Sequence, residues 1–171
     1  MTKFSVAELE RLSAEDDAEA IKELSVRYAT GNGVEKDGTK SLDLLRRAVD
    51  MDDAGAMFMM GAAYATGVGV PIDEAQAVMW YEKAAAKGNA LGQYWLAIMI
   101  GNSRGNIVGS WAAAAPLFEK AAMQGHSDAA FMLGWIHQMG ETGKIDYEQA
   151  ANWYRKASET VLNQKAQFNL R

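Results

Sequence analysis

A period of 36–37 residues runs through this 171-residue chain and limits what it can fold into more than any other feature. Four nine-residue stretches align: Ala20–Tyr28, Ala56–Tyr64, Gly92–Ile100 and Ala129–His137, with starts 36, 36 and 37 residues apart. A fifth start falls at Ala166, a further 37 residues on. Each full copy reads small, three residues, Leu or Met, small, two residues, then a large side chain. A turn follows in every copy, at Thr30–Val34, Thr66–Val70, Asn102–Asn106 and Gly140–Gly143, and then a second apolar segment, at Leu44–Val49, Trp80–Ala85, Leu117–Ala122 and Trp153–Ser158. Self-similarity at such a period is the mark of stacked supersecondary units, because one unit of this size cannot bury its own apolar face.

Both segments of each unit carry helix signals. Asp73 and Asp146 stand where N-caps belong, each with Gln three residues later, which is a capping-box pattern. Gly31 and Gly67 fall just after the first segment and Gly88 and Gly125 after the second, where a left-handed cap ends a helix. The small residues Gly61, Ala97 and Gly134 lie inside first helices and allow close approach of the paired helix. Composition agrees: 30 alanines against 22 Val, Ile and Thr, and two prolines, favour helix over strand. Ser5 with Glu8 is another capping box, with Phe4 placed to staple onto Leu9, so a short helix over about Val6–Ser13 is expected as an N-terminal lid.

The pattern A-x-x-x-L-G-x-x-Y, then G-x-G-V, then W-Y-x-K-A-A-x-x-G resembles the Sel-1-like repeat, a relative of the tetratricopeptide repeat, and covers roughly residues 17–171. The resemblance implies an all-α, right-handed superhelix of about four two-helix repeats, with the first helices lining a concave groove. It also implies protein-interaction scaffolding, often in bacteria, rather than a fixed chemistry. The expected single domain divides into a cap at 1–16, repeats at about 17–52, 53–88, 89–125 and 126–162, and a partial fifth repeat at 163–171. Repeat one departs from the pattern at Ser25, Leu44-Leu45 and Asp52, as a divergent capping repeat would. Repeat three lacks the Gly-x-Gly-Val turn and places Pro116 in its second helix, so that helix is expected either to kink or to start near Ala115.

Successive helical residues are 100° apart. Counting the position of Ala20, Ala56, Gly92 and Ala129 as three, positions three, four, seven, eight and eleven share a core face. Positions two, five, six, nine and thirteen face the opposite way. That opposite face is charged in repeat one (Glu19, Lys22, Glu23) and apolar from repeat two onwards. Phe58, Met59, Tyr94, Trp95, Ile98, Phe131, Met132, Trp135 and Met139 are therefore the candidate partner-binding residues, with the aromatics at position five also suited to packing between repeats. Helix neighbours ~8–10 Å apart would align Met59, Trp95 and Met132 into a stripe about 20 Å long. Aromatic anchors and adaptable methionines suit an interface.

These residues lead to a non-enzymatic adaptor that binds a protein or peptide segment in its groove. Two further classes stand beside it: a self-associating solenoid or piece of a longer array, suggested by a chain that stops inside another copy of the motif, and a hydrolase acting on cell-wall-type substrates, as the resemblance implies for some secreted relatives. Residues 1–53 carry 13 acidic and 8 basic groups and the remainder nine of each. The net charge of −5 therefore sits at one end, fitting either a soluble cap or a partner basic at one end. It argues against nucleic acid as a general partner.

The absence of cysteine excludes disulfides, thiolate metal sites and a cysteine nucleophile. His126 and His137 are eleven residues apart, about 16 Å along a helix, too far to share a metal. Adjacent His126, Ser127 and Asp128 cannot align as a triad, and no cofactor is expected. The longest uncharged run, Ala54–Ile72, holds four glycines and reads as a buried helix and turn, not a membrane span. Without a signal-like apolar segment at the N-terminus, a cytoplasmic location is expected.

Overall fold

Each period folds as two antiparallel helices, and the repeat boundaries follow from the caps. The computed structural model describes the backbone of residues 4–169 and the side chains of residues 4–164. Among these residues there are nine α-helices and no strand. They form two compact units, residues 1–87 and 88–171.

The first unit holds α1 (Val6–Ala14), α2 (Ala18–Thr30), α3 (Gly38–Asp50), α4 (Ala54–Thr66) and α5 (Glu74–Ala86). Helix α1 lies on α2, while α2 pairs with α3 and α4 with α5. Ser5 caps α1 by accepting the Glu8 N–H at 3.2 Å, while the Glu8 carboxylate accepts from Arg11 at 2.9 Å. Asp17, Asp37, Asp53 and Asp73 cap the other four, each carboxylate accepting a first-turn N–H at 2.7–3.0 Å. Such caps satisfy donors that a helix start otherwise leaves unpaired. Gly31 and Gly67 close α2 and α4 with φ of 78° and 79°, a left-handed conformation that a Cβ disfavours. The uncharged run Ala54–Ile72 is accordingly a 13-residue helix and its turn, and no helix among the described residues is long and apolar enough to cross a membrane.

The second unit holds α6 (Ala90–Gly101), α7 (Trp111–Met123), α8 (Ser127–Met139) and α9 (Tyr147–Asn169). Helix α6 pairs with α7, α7 meets α8, and α8 pairs with α9. Asp146 accepts the Gln149 N–H at 2.9 Å at the start of α9. Of the two alternatives for the helix that carries Pro116, a kink or a start near Ala115, the later start does not occur: α7 begins at Trp111 and carries Pro116 in its sixth position. Two contacts fix this earlier start. Ser110 accepts the Ala113 N–H at 3.2 Å, and the Trp111 ring lies so close over Gly101 that an added Cβ there would fall 2.3 Å from it. Proline then forgoes one intrahelical bond without moving the helix start.

The segment expected to open a fifth repeat instead continues α9 without a break as far as Asn169. Gly88 and Gly125, both at positive φ, end the second helices of repeats two and three; the same register in repeat four brings Val161 or Leu162, neither of which favours that conformation. The side chains of Ala166 and Phe168 and the whole of Leu170 and Arg171, on which the fifth copy rests, lie outside the described residues.

Four of the five predicted core positions are buried in both units, and position ten, outside the predicted set, is buried with them as Arg27, Ala63, Met99 and Ile136. Positions three, four, seven and eight are buried in all four first helices, from Ala20, Ile21, Leu24 and Ser25 to Ala129, Ala130, Leu133 and Gly134. Position eleven, occupied by Tyr28, Tyr64, Ile100 and His137, is half-buried. The small residue at position eight has a direct cause: a Cβ on Gly61 would lie 2.6 Å from the Tyr81 ring, and one on Gly134 the same distance from Tyr154.

Candidate functional site

None of the residues at positions two, five, six, nine and thirteen of the first helices is buried. In the first unit this face carries Phe58, half-buried and stacked on Tyr81 at 5.9 Å between centroids, and Met59, half-buried against the cluster around Met60 and Ala63. In the second unit Trp95 is 41% exposed, Phe131 55% and Met139 55%. Tyr94, Ile98, Met132 and Trp135 are half-buried and pack on the core of Phe118, Leu133 and Ile136.

One of these positions has a second role. In repeats one and three position five meets the N-cap of the following repeat: Lys22 Nζ is 3.1 Å from Asp53, and the Tyr94 ring stacks on His126 at 4.5 Å. Phe58 and Tyr94 thus contribute to packing within a repeat or at a junction, as position-five aromatics can. Burial alone would lower the Lys22 pKa, yet its hydrogen bonds to Glu19 and Asp53 and their charges raise it, so this mostly sheltered ammonium is compensated twice.

Trp135 and Trp95 are held differently. The Trp135 ring meets Trp111 edge-on at 5.3 Å, and Trp111 stacks on the buried Phe118 at 6.4 Å. Trp95 meets Tyr94 edge-on at 5.6 Å, and Tyr94 in turn meets Phe118 at 5.7 Å. Aromatic pairs at such distances add to burial, so Trp95 and Trp135 both rest, through Tyr94 and Trp111, on one buried phenylalanine. Trp111 is absent from the sequence-derived set. It lies in a second helix, and only the close approach at Gly101 brings its ring to α8.

His126 is the N-cap of α8, its Nδ1 accepting the Ala129 N–H at 3.3 Å, which requires a neutral imidazole. Burial lowers its pKa from 6.5, against an opposing pull from Asp128. A folded pKa below the unfolded one means protonation favours the unfolded chain. The contribution of His126 is therefore complete above pH 6.5 and is lost as pH falls through its lowered folded value. Urea midpoints of wild type are expected to fall more steeply below pH 6.5 than those of His126→Asn, whose amide caps at any pH. Parallel profiles would refute the assignment.

Among the described residues no three His, Asp or Glu side chains are grouped as metal ligands would be. Some acidic and basic side chains form exposed local pairs, such as Arg11 with Glu8 and Glu15 and Arg46 with Asp43. Exposed pairs of this kind contribute little stability.

Comparison with known proteins follows the same register. The Sel1 repeat family matches residues 18–53, 54–89, 90–126 and 127–159. The fold is similar to that of c5321, a protective antigen present in uropathogenic Escherichia coli strains and displaying an SLR fold, with a TM-score of 0.84 and 35% identity over 92% of this chain and 33% of that one. It is also similar to a Sel1 repeat protein from Oxalobacter formigenes, with a TM-score of 0.81 and 23% identity over 86% and 60% of the two chains. The immunity protein Pa5087 from Pseudomonas aeruginosa follows at a TM-score of 0.66 and 25% identity, over 91% and 57%. This chain thus spans about a third of the first of these proteins and three fifths or less of the others. No curated protein sequence matches it. With four consecutive matches and a helix pair in each, the chain belongs to the Sel1 repeat family, whose members are protein-interaction scaffolds.

Proposed function

We propose that this protein is a non-enzymatic adaptor that holds an apolar protein or peptide segment against the exposed face of its first helices. The observation that carries the reading is the surface of the second unit, where Trp95, Phe131 and Met139 are exposed beside half-buried Tyr94, Ile98, Met132 and Trp135. Large apolar side chains concentrated on one face mark an interaction site, and tryptophan is a frequent anchor. Tyr94 and Trp135 are also held in place by Phe118 and Trp111, so little order has to be imposed on binding. Phe58 and Met59 form a smaller patch of the same kind in the first unit.

The test is capture of partners by wild type and by Trp95→Ala with Trp135→Ala, with circular dichroism showing both folded. Loss of the captured partners from the double variant is expected; retention of every partner would refute the reading. A second reading, self-association, draws on the outer face of α8 and α9. There an open groove of about 400 Å³ is lined by Phe131, Ala157, Val161 and Leu162 together with Ser127, Asp128 and Ser158, with Leu162 64% exposed. Sedimentation across a wide concentration range separates the two, since a persistent monomer excludes association.

A further inference from the structure

Position eight of a first helix faces one side chain of the paired second helix, twenty residues on: Gly61 faces Tyr81 and Gly134 faces Tyr154. The Tyr154 ring lies across Gly134 and its hydroxyl donates to Gln138 Oε1 at 2.7 Å, so a ring here spans positions eight to twelve. In the first repeat those positions are Ser25 and Ala29, and the residue twenty on from Ser25 is Leu45. Leucine is buried there but too short to cover the same ground. A pocket of about 160 Å³, open to the surface, remains, lined by Ser25 and Ala29 of α2, Ser41 and Leu45 of α3, and Met59 and Ala62 of α4.

Its walls are apolar apart from hydroxyls. Ser25 and Ser41, 1% and 2% exposed, stand 3.4 Å apart, and no charged side chain lines the space. An apolar cavity of about 150 Å³ accepts benzene, so one six-membered ring fits the volume. The cavity opens beside Val26, Met59 and Thr66, which lie at positions nine, six and thirteen of the face described above.

We propose that this cavity binds the aromatic side chain of a partner's tyrosine or phenylalanine, the ring taking the place that Tyr81 and Tyr154 fill from within the chain. The choice of a peptide side chain over a free phenol rests on the adaptor reading; the fit of the ring does not. An anionic or metal ligand has no charged group to meet here. The divergence of repeat one from the family pattern at Ser25 and Leu45 thereby acquires a use: the pair leaves out the internal ring and opens the site.

The test uses the full chain with ¹³C-labelled methionine methyls, titrated with p-cresol and, separately, with N-acetyltyrosinamide. Both probes are expected to shift the Met59 methyl saturably through the ring current while leaving Met132 in place. The shift should vanish in Ser25→Gly with Leu45→Tyr, which supplies the ring internally, and in Ala62→Leu, which fills the space from the α4 side. At least one of these is expected to keep the wild-type helix content. No saturable shift at Met59 with either probe, or an unchanged shift in a folded filled variant, would overturn the site. Binding of p-cresol without N-acetyltyrosinamide would overturn its assignment to a partner's side chain. Because Trp95 and Trp135 take no part, the same titration on Trp95→Ala with Trp135→Ala should be unchanged, which separates failure of this site from failure of the adaptor surface.

Discussion

Phe118→Ala is expected to destabilise the protein by about 3–5 kcal/mol, the range for truncating a fully buried aromatic residue. Phe118 is 0% exposed, and its surroundings are unusually poor at filling a hole. Ala97, Ala114, Ala121, Ala122, Ala129 and Ala130 make up most of the buried cluster around it. Alanine has no rotamer to swing into a void, and the helices already approach at alanine distance, so collapse would require moving backbone. The residual cavity should keep the cost in the upper part of that range. The same substitution removes the support on which Tyr94 and Trp111 rest. Near-ultraviolet circular dichroism is therefore expected to weaken along with the urea midpoint. A loss below about 1 kcal/mol would show that the site repacks, contrary to this account.

Gly134→Ala should also destabilise, although glycine to alanine inside a helix ordinarily stabilises by about 0.5–1 kcal/mol. The new Cβ would stand 2.6 Å from two atoms of the Tyr154 ring and 3.0 Å from a third. That ring cannot easily retreat, since its hydroxyl is bound to Gln138 and its face meets Phe131 at 5.2 Å. Overpacking costs about 1–3 kcal/mol, so a net loss of about 0.5–2 kcal/mol is expected once the propensity gain is subtracted. The double variant Gly134→Ala with Tyr154→Leu imitates the Ser25 and Leu45 pair of repeat one. It should be more stable than the sum of the two single changes by at least about 0.5 kcal/mol, the coupling expected of residues in contact. Additive losses in urea denaturation would mean that the two side chains do not share the space.

These two cases show which parts of the molecule were legible as sequence. Helix positions, caps and the core face depend on neighbours three or four residues away, so Asp73, Asp146, Ser5 and Gly67 announce their roles locally. The later helix start that Pro116 allows does not occur because the local cost of proline is outweighed by a contact between Trp111 and Gly101, which the loop between α6 and α7 brings together. The continuation of α9 past residue 162 was obscured for the opposite reason. A repeat motif in the letters carried no turn residue to enforce it.

The candidate surface divides in the same way. That Trp95, Phe131 and Met139 lie outside the core follows from 100° per residue and agrees with their exposure. That Tyr94 is a junction residue stacked on His126, and that Trp135 leans on Trp111, depends on side chains brought together from different helices. The cavity between Ser25 and Leu45 is a matter of volume, because it needs a leucine where two other repeats have a tyrosine and backbones that stay apart.

The 36–37-residue period by itself determined the helices, their pairing and the face each turns to the core, because these are consequences of periodicity and caps along one chain. The tertiary structure alone decided which rings touch, where the last helix runs and where space is left over. Those outcomes depend on the distance between helices, which is set by the summed bulk of side chains far apart in sequence.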